Sequence, residues 1–182
     1  MLDSLLIPFR GQPQPPQLPL GYGLDTETPP SAEELNALLV ACGDPARPPQ
    51  RLQRALEASA WQLCLRGPDG QLLGFVRATS DQALNANLWD LAVHPAEPQA
   101  EPLLQVLVHT ALGRLRRELP GCSISVAAPQ GALVALQQHG FVVDPGGIRA
   151  MGLRLNSQGL EPGTTKPRPT KKPRSDETGL QG

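Results

Sequence analysis

The feature that most constrains the fold is a strand that is followed, after a short connection, by a long helix, between residues 88 and 119. The strand part reads LWDLAVHP and ends at His94-Pro95. From Pro102 to Leu119, apolar residues recur with helical spacing, which predicts an amphipathic helix that starts at Pro102. The connection between strand and helix is rich in proline and glutamate and contains no glycine. A strand followed by a covering helix indicates a mixed α/β fold layered around one central sheet.

Local signals predict the elements on either side of this unit. Ser31 followed by Glu34 is a capping box, which opens a helix that Gly43 ends. A hairpin is predicted around the turn Gly67-Pro68-Asp69-Gly70, with Leu73 and Phe75 on one face of its return strand. The predicted order is a strand, two helices, the hairpin, the strand and helix above, then a strand, a helix and two short strands.

Both ends of the chain differ in composition from its middle. Residues 1–19 include QPQPPQLP, which favours an extended backbone, and we interpret them as a flexible proline-rich arm. Residues 156–182 carry all the lysines of the chain and very little apolar surface, which predicts a disordered basic tail. The folded domain is therefore expected over residues 20–155.

The composition also limits the compartment and the ligands. The three cysteines lie far apart, and no C-x-x-C or histidine pair has the spacing of a metal site, so we expect no metal and a reducing, cytoplasmic location. The sequence contains neither a secretion signal nor an apolar run of the roughly 20 residues that a bilayer requires. We therefore predict a soluble protein without a membrane partner.

Taken together, three segments resemble the GNAT superfamily of acetyl-CoA-dependent N-acetyltransferases, in its plastid and cyanobacterial type. They are LEASAWQLCLRGPDGQLLGFVRATSD, LWDLAVHP and HGFVVDPGGIRAMGLRL, and their order and spacing carry the resemblance, which covers residues 20–155. The resemblance implies a splayed, mostly antiparallel central sheet flanked by helices. It further implies that residues 88–94 lie parallel to residues 122–127 and diverge from them at the carboxyl ends.

The resemblance also implies an acetyl-CoA site. The backbone of Leu91, Ala92 and Val93 is expected to pair with the pantetheine arm of acetyl-CoA. In the family a glycine-rich loop then curls around the pyrophosphate at the start of the next helix. The matching segment here is PQAEPLLQ, which places Gln99, Leu103 and Leu104 at the cofactor.

That loop is poorly suited to a pyrophosphate. Its glycines are missing, Pro98 and Pro102 have no N–H to donate, and Glu97 and Glu101 add negative charge. We therefore predict weak acetyl-CoA binding. The alternative interpretation is that the loop is a mere connector between strand and helix.

Asp90 is the first candidate for catalysis. Transfer of acetyl to an amine requires a group that takes a proton from the attacking nitrogen, and the family often carries an acidic residue at this position. The alternative is a buried structural carboxylate that is satisfied by backbone donors or by an arginine such as Arg77. Both roles remain open at this point.

Two histidines are weaker candidates. His94, at the strand exit, could act as a second base, although it is more simply a solvated strand end. The general acid of the family is a tyrosine on the last helix, and its counterpart here is Leu136, which has no proton to give. His139 lies one helical turn further on and is the remaining candidate for the acid.

Two functions of different kinds follow. The first is an N-acetyltransferase that transfers acetyl from acetyl-CoA to a primary amine, either a small amine or a protein amino group. The second is a catalytically impaired GNAT-like binding or regulatory module, in effect a pseudoenzyme. The basic tail could contact a protein partner, whereas a nucleic-acid partner is disfavoured because the tail has no aromatic residue to stack on a base.

Overall fold

The computed structural model describes residues 15–143 of the 182-residue chain. The elements in this part follow the predicted order, and a single turn of 3₁₀ helix precedes the last helix. They are β1 (Gly23–Asp25), α1 (Ala32–Ala41), α2 (Pro49–Glu57), β2 (Trp61–Arg66), β3 (Leu72–Ser80), β4 (Asn85–Val93), α3 (Ala100–Glu118), β5 (Ser123–Val126), the 3₁₀ turn (Gln130–Ala132) and α4 (Leu133–Gln138).

The five strands form one sheet in the order β1-β2-β3-β4-β5. The first three pairings are antiparallel, and β4 and β5 are parallel. The parallel pair is joined by α3, as a crossover between parallel strands requires. The predicted mixed α/β fold with a mostly antiparallel sheet is confirmed.

β4 and β5 are paired along only part of their length. The pairing starts at Asn85 opposite Ser123 and ends at Leu88 opposite Val126, whereas β4 continues to Val93. Within the described residues, the last five residues of β4 therefore have no partner in β5. The predicted divergence of these strands at their carboxyl ends is confirmed.

A β-bulge lies where the two strands separate. Trp89 pairs with Arg77 and Ala92 pairs with Phe75, so two residues of β4, Asp90 and Leu91, face one residue of β3. Asp90 has a φ of +56°, the left-handed conformation that glycine commonly takes in such bulges. A bulge bends its strand and increases the local twist, which turns the end of β4 away from β5.

Helices cover both faces of the sheet. On one face, α3 and α4 bury a core with β2, β3 and β4 that includes Leu63, Val76 and Leu107. On the other face, α1 and α2 pack against Cys64 and Phe75. The central strands β2 and β3 are consequently buried on both sides, which explains their nearly continuous apolar sequence.

The capping box predicted at Ser31 is present. The Ser31 side chain accepts a hydrogen bond from the Glu34 N–H at 3.1 Å, and the Glu34 carboxylate accepts one from the Ser31 N–H at 3.0 Å. This backbone bond, together with an ion pair to Arg66, holds the pKa of Glu34 below its usual value. Gly43 follows the end of α1 with a φ of +93°, as a helix-ending glycine does.

Two details differ from the sequence-based expectations. Helix α3 begins at Ala100, so Pro102 is its third residue and not its first, although it still lies in the turn where a missing N–H costs little. Leu73 and Phe75 lie on opposite faces of the sheet, because the register between β2 and β3 shifts at Leu65 and Arg66.

The predicted domain boundaries are only partly within the described residues. Leu18, in the predicted arm, packs against the cluster formed by Leu65, Leu73 and Leu103, so this part of the arm contacts the folded core. The first of the two predicted closing strands, residues 141–143, is wrong, because these residues form no strand in the structure. Residues 1–14, the second predicted closing strand (residues 148–155) and the tail 156–182 lie outside the described residues.

We expect Ser31→Ala to lower the free energy of unfolding by about 1 kcal/mol, because the Glu34 N–H loses its acceptor at the start of α1. Urea denaturation measures this change. Ser31→Asp serves as the matched control, because aspartate caps a helix about as well as serine, and it should restore the stability. Equal loss in both variants would contradict a role for the cap.

Candidate functional site

A cavity of about 480 Å³ opens where β4 and β5 diverge. One wall is the free end of β4, and the opposite wall comes from the segment after β5 and from α4. The first turn of α3 closes one end of the cavity. Its lining residues are mostly small or apolar: Cys42, Leu91, Ala92, Val93, Pro95, Ala100, Glu101, Leu104, Gln105, Pro129, Gly131, Ala132, Val134 and Ala135.

The free edge of β4 gives this cavity its backbone donors and acceptors. Leu91, Ala92 and Val93 line it beyond the last pairing with β5, and their pairing with a pantetheine arm stays a prediction. One of their carbonyls, that of Val93, accepts a hydrogen bond from the Cys42 thiol at 3.4 Å. Burial, and then the nearby Asp44, raises the pKa of Cys42, so the thiol stays protonated and acts as a donor.

The carboxylate of Asp90 is held by two arginines from different elements. Arg77 of β3 donates to one oxygen at 2.6 Å, and Arg47, between α1 and α2, donates to the other at 2.7 Å. The Asp90 side chain is only 6% exposed. Both oxygens are therefore engaged in ion pairs, which is the arrangement expected of a structural carboxylate and includes the predicted partner, Arg77.

Arg47 is itself fixed by its neighbours. Its backbone N–H and C=O pair with the side-chain amide of Asn36 at 2.9 and 2.7 Å, and its guanidinium also contacts Asp44 at 3.1 Å. The connection between α1 and α2 is consequently anchored to β4 through Asp90. We call Asp90, Arg77 and Arg47 the bulge clamp.

The connection between β4 and α3 is folded around Glu97. The Glu97 carboxylate accepts a hydrogen bond from the Tyr22 hydroxyl at 2.7 Å and another from the Gln99 N–H at 3.2 Å. The Glu97 carbonyl accepts the Ala100 N–H at 3.1 Å. A carboxylate of the chain itself thus lies beside the residue that precedes α3, near the positive end of the helix dipole, which favours an anion.

Few amides at this helix start are available to an outside anion, and the Glu101 N–H is the one that has no partner among the described residues. The N–H groups of Gln99 and Ala100 are bonded to Glu97, and Pro102 has none. Glu101, the remaining residue of this turn, places an exposed acidic side chain at the cavity. This acidic turn carries the charge that the sequence predicted to disfavour a pyrophosphate, and weak binding of acetyl-CoA stays a prediction.

The other predicted cofactor residues divide into two groups. Leu104 lines the cavity. Gln99 is the exposed residue just before α3 and makes no capping hydrogen bond through its side chain, and Leu103 is fully buried against Leu65 and Leu73. The structure places Gln99 and Leu103 outside the cavity lining, so a part for either in cofactor binding stays a prediction without a contact to support it.

The candidate histidines lie apart from the bulge clamp. His94 is partly buried, and its Nδ1 accepts a hydrogen bond from the Ala96 N–H at 3.3 Å. His139 ends α4, where its Nδ1 lies 2.8 Å from the Ala135 carbonyl and its ring packs edge-on against His109. Leu136, which the resemblance matched to a tyrosine, is 2% exposed and belongs to the core.

Two further properties concern ligands and membranes. Within residues 15–143, no three His, Cys, Asp or Glu side chains come close enough together to hold a metal ion. In the same part of the chain, no helix has both the length and the apolar sequence needed to cross a membrane.

Sequence reasoning missed three residues that shape the site: Tyr22, Cys42 and Arg47. Each reaches the site across a long separation along the chain, as Tyr22 and Glu97 do over 75 residues. A lone tyrosine, a cysteine after a helix and a loop arginine carry no periodic or motif signal. Their partners could be identified only from the packing of the sheet.

The Tyr22–Glu97 contact can be tested directly, because Tyr22 is the one tyrosine of the chain. Its hydrogen bond to Glu97 raises the pKa of Tyr22 above the ordinary value. We expect Glu97→Gln to lower this pKa towards the ordinary value near 10, as measured by the ultraviolet absorbance of the phenolate. The control Glu101→Gln should leave the titration unchanged. An identical titration in the unaltered chain and in Glu97→Gln would show that the contact is absent in solution.

Comparison with curated proteins identifies relatives of the chain, although no protein-family model matches it. An uncharacterised N-acetyltransferase, ycf52, of Pyropia yezoensis is 31% identical over 121 residues, which are 65% of this chain and 68% of that protein. The chloroplastic GCN5-related N-acetyltransferase 2 of Arabidopsis thaliana is 34% identical over 137 residues, and the match covers 65% of this chain and 52% of that protein.

Solved structures share the fold. A Staphylococcus aureus protein described as a probable acetyltransferase superposes with a TM-score of 0.65 at 17% identity, over 74% of this chain and 99% of that one. A GNAT-family acetyltransferase of Streptococcus pneumoniae gives a TM-score of 0.59 at 17% identity, over 75% and 99% of the two chains. With the splayed sheet, its cavity and the similarity to ycf52, these matches lead to one conclusion: the chain belongs to the GNAT superfamily of N-acetyltransferases, whose members transfer acetyl from acetyl-CoA to an amine.

Proposed function

We propose that the protein is an N-acetyltransferase that binds the acetyl-pantetheine end of acetyl-CoA in the cavity between β4 and β5, with low affinity for the whole cofactor. The observation that carries the proposal is the open backbone edge of Leu91, Ala92 and Val93 beside that cavity. A pantetheine arm carries two amides, and extended backbone pairs well with such groups. This kind of recognition needs no particular side chain.

The reaction is the direct transfer of the acetyl group. The amine nitrogen forms a bond to the thioester carbonyl carbon, the carbon–sulfur bond breaks, and the nitrogen loses a proton as the CoA thiolate leaves. Leu136 cannot protonate that thiolate, so the proton must come from solvent or from another group. Because a thiolate is a fairly good leaving group, the missing acid slows the reaction and does not prevent it.

The low affinity follows from the first turn of α3. Two amides are bonded to Glu97 and a third position is proline, so these three positions offer a pyrophosphate none of the ordinary hydrogen bonds, worth about 1 kcal/mol each, and only the Glu101 N–H of this turn is left. Glu101 adds repulsion at the cavity. Two negative charges about 5 Å apart repel each other by roughly 3 kcal/mol at an effective dielectric near 20. The repulsion between Glu101 and a phosphate is smaller than this, because Glu101 is exposed to water.

We propose that Asp90 positions β4 and does not act as the base. Its two oxygens are already bonded to Arg77 and Arg47, and its left-handed backbone costs about 1 kcal/mol, which the ion pairs offset. The clamp keeps the bulge in place and thereby keeps Leu91 to Val93 turned towards the cavity. A role of Asp90 as base is the alternative that this proposal replaces, and the roles of His94 and His139 stay predictions.

An alternative function is a GNAT-like binding or regulatory module without useful turnover. The buried Leu136 at the position of the acid, together with the occupied amino end of α3, favours this alternative. The two functions differ in one measurement. An enzyme releases free CoA when acetyl-CoA is mixed with a panel of amines, at a rate that depends on the amine, whereas a binding module does not.

The acceptor and the compartment also stay proposals. We propose a primary amine as the acceptor, and the basic tail as a contact for a protein partner. All three cysteines, Cys42, Cys64 and Cys122, are free thiols, which agrees with a reducing compartment such as the cytoplasm. Because the Arabidopsis relative is named as chloroplastic, the plastid is the alternative compartment.

We expect acetyl-CoA to bind the unaltered protein weakly, and Glu101→Gln to tighten the binding about three- to tenfold, because one carboxylate no longer faces the phosphates. Isothermal titration calorimetry measures both affinities without an acceptor. The matched control is Glu118→Gln, at the other end of α3, which should leave the affinity unchanged. Tight binding by the unaltered protein would refute the argument from the loop.

A redesigned loop extends this test. Replacing Pro98 and Glu101 with glycine should tighten acetyl-CoA binding further, because it returns an amide and removes a charge. Leu103 is left unchanged, because its side chain is fully buried and its loss would open a cavity in the core.

We expect Asp90→Asn to weaken acetyl-CoA binding about tenfold, because asparagine tolerates the left-handed backbone but lacks the charge that holds both arginines. Arg77→Met should weaken binding to a similar extent, because it also breaks the bulge clamp, although it leaves Asp90 in place. If Asp90 were the base, Asp90→Asn would instead reduce kcat and leave the affinity for acetyl-CoA unchanged. In that case Arg77→Met would have the affinity and the kcat of the unaltered protein. The control for a general loss of stability is Arg66→Met, which breaks the ion pair between Arg66 of β2 and Glu34 of α1.

A further inference from the structure

The cavity offers two different environments to a long ligand. Its interior is lined by the backbone edge of β4 and by small apolar residues such as Ala132 and Ala135. Its end at α3 is lined by Glu101, next to the turn that Glu97 occupies. The part of a ligand that lies in the interior therefore contacts neutral backbone groups, and the part that lies at the α3 end contacts a negative charge.

The charge around this end does not suit a nucleotide. Coenzyme A carries a pyrophosphate and a 3′-phosphate on its adenosine portion, so several negative charges must be compensated when that portion binds. Among the described lining residues the one charged side chain is Glu101, which is acidic. No arginine lines the cavity within residues 15–143, and the arginines nearest to β4, Arg47 and Arg77, are committed to Asp90.

The structure also provides a substitute for the missing phosphate. The Glu97 carboxylate lies at the amino end of α3, and Tyr22 fixes it there from the other side. A pyrophosphate that used the Gln99 N–H would have to displace this carboxylate, break its bonds to Tyr22 and Gln99, and leave a negative charge close to its own. Displacement of an internal anion that is already hydrogen-bonded yields little net binding energy.

We infer that the protein recognises its acyl donor as a pantetheine thioester and gains no affinity from the nucleotide portion of coenzyme A. The inference rests on the proposed function, and it specifies the class of donor that the same cavity accepts. Two sources supply a pantetheine thioester: free acyl-CoA, and phosphopantetheine attached to a carrier protein. Their shared chemistry is the pantetheine arm with its two amides and its thioester.

The test compares donors that differ only at the nucleotide end. Calorimetry on the unaltered chain measures the affinities for acetyl-CoA, S-acetyl-4′-phosphopantetheine and S-acetylpantetheine. We expect the two donors that carry phosphate to bind no more tightly than S-acetylpantetheine and at most about tenfold more weakly, because Glu101 repels their phosphates. Adenosine 3′,5′-bisphosphate should not compete with acetyl-CoA. Acetyl-CoA binding more than tenfold tighter than S-acetylpantetheine would overturn the inference and leave the proposed function intact.

Two variants make the test specific. Glu101→Gln should tighten acetyl-CoA binding and leave S-acetylpantetheine binding unchanged, because the latter carries no phosphate. Ala135→Trp, which fills the interior of the cavity, should weaken all three donors to the same extent. If S-acetylpantetheine and acetyl-CoA responded equally to Glu101→Gln, the charge argument would be wrong. If none of the three donors bound the unaltered chain, the proposed function itself would fail.

A fourth donor distinguishes the two sources. An acetylated carrier protein presents the same arm without any nucleotide. Tighter binding of this carrier than of free S-acetyl-4′-phosphopantetheine would identify carrier-bound thioesters as the donor, whereas equal or weaker binding would identify free pantetheine thioesters. Either result supports recognition at the pantetheine arm.

Discussion

The functional site depends on one β-bulge, in which Asp90 is the residue in the left-handed conformation. The bulge is costly by itself, because a left-handed backbone is strained and a buried carboxylate loses its hydration. Arg77 and Arg47 offset both costs, and each comes from a different part of the fold. The same clamp therefore fixes the end of β4, the connection between α1 and α2, and the opening between β4 and β5.

Much of the fold could be predicted from local signals in the sequence. The capping box at Ser31, the turn at Gly67 to Gly70 and the apolar period of α3 each act over a few residues, and each was confirmed. The bulge and the opposite facing of Leu73 and Phe75 were not predictable in this way, because both arise from register between neighbouring strands. Register depends on how whole strands pack and leaves no mark in a short window of sequence.

The candidate site was predictable to the same limited degree. The sequence located the end of β4 and the acidic, proline-rich loop after it, since both lie in one continuous segment of the chain. It named Arg77 as a partner of Asp90 but not Arg47, and it treated Glu97 simply as an added charge. In the structure the Glu97 carboxylate is held by Tyr22 and Gln99, so Glu101 is the acidic residue that directly faces the cavity.

The two halves of a GNAT cofactor site follow different physical requirements. The pantetheine half relies on a free strand edge, and a strand edge persists as long as the bulge and the sheet persist, whatever side chains line it. The phosphate half relies on several free amides at a helix start, and single substitutions by proline or glutamate remove them. A chain can thus lose the second half and keep the first. We propose that combination for residues 91–105 of this protein, where the end of β4 is unpaired with β5 and Glu101 faces the cavity.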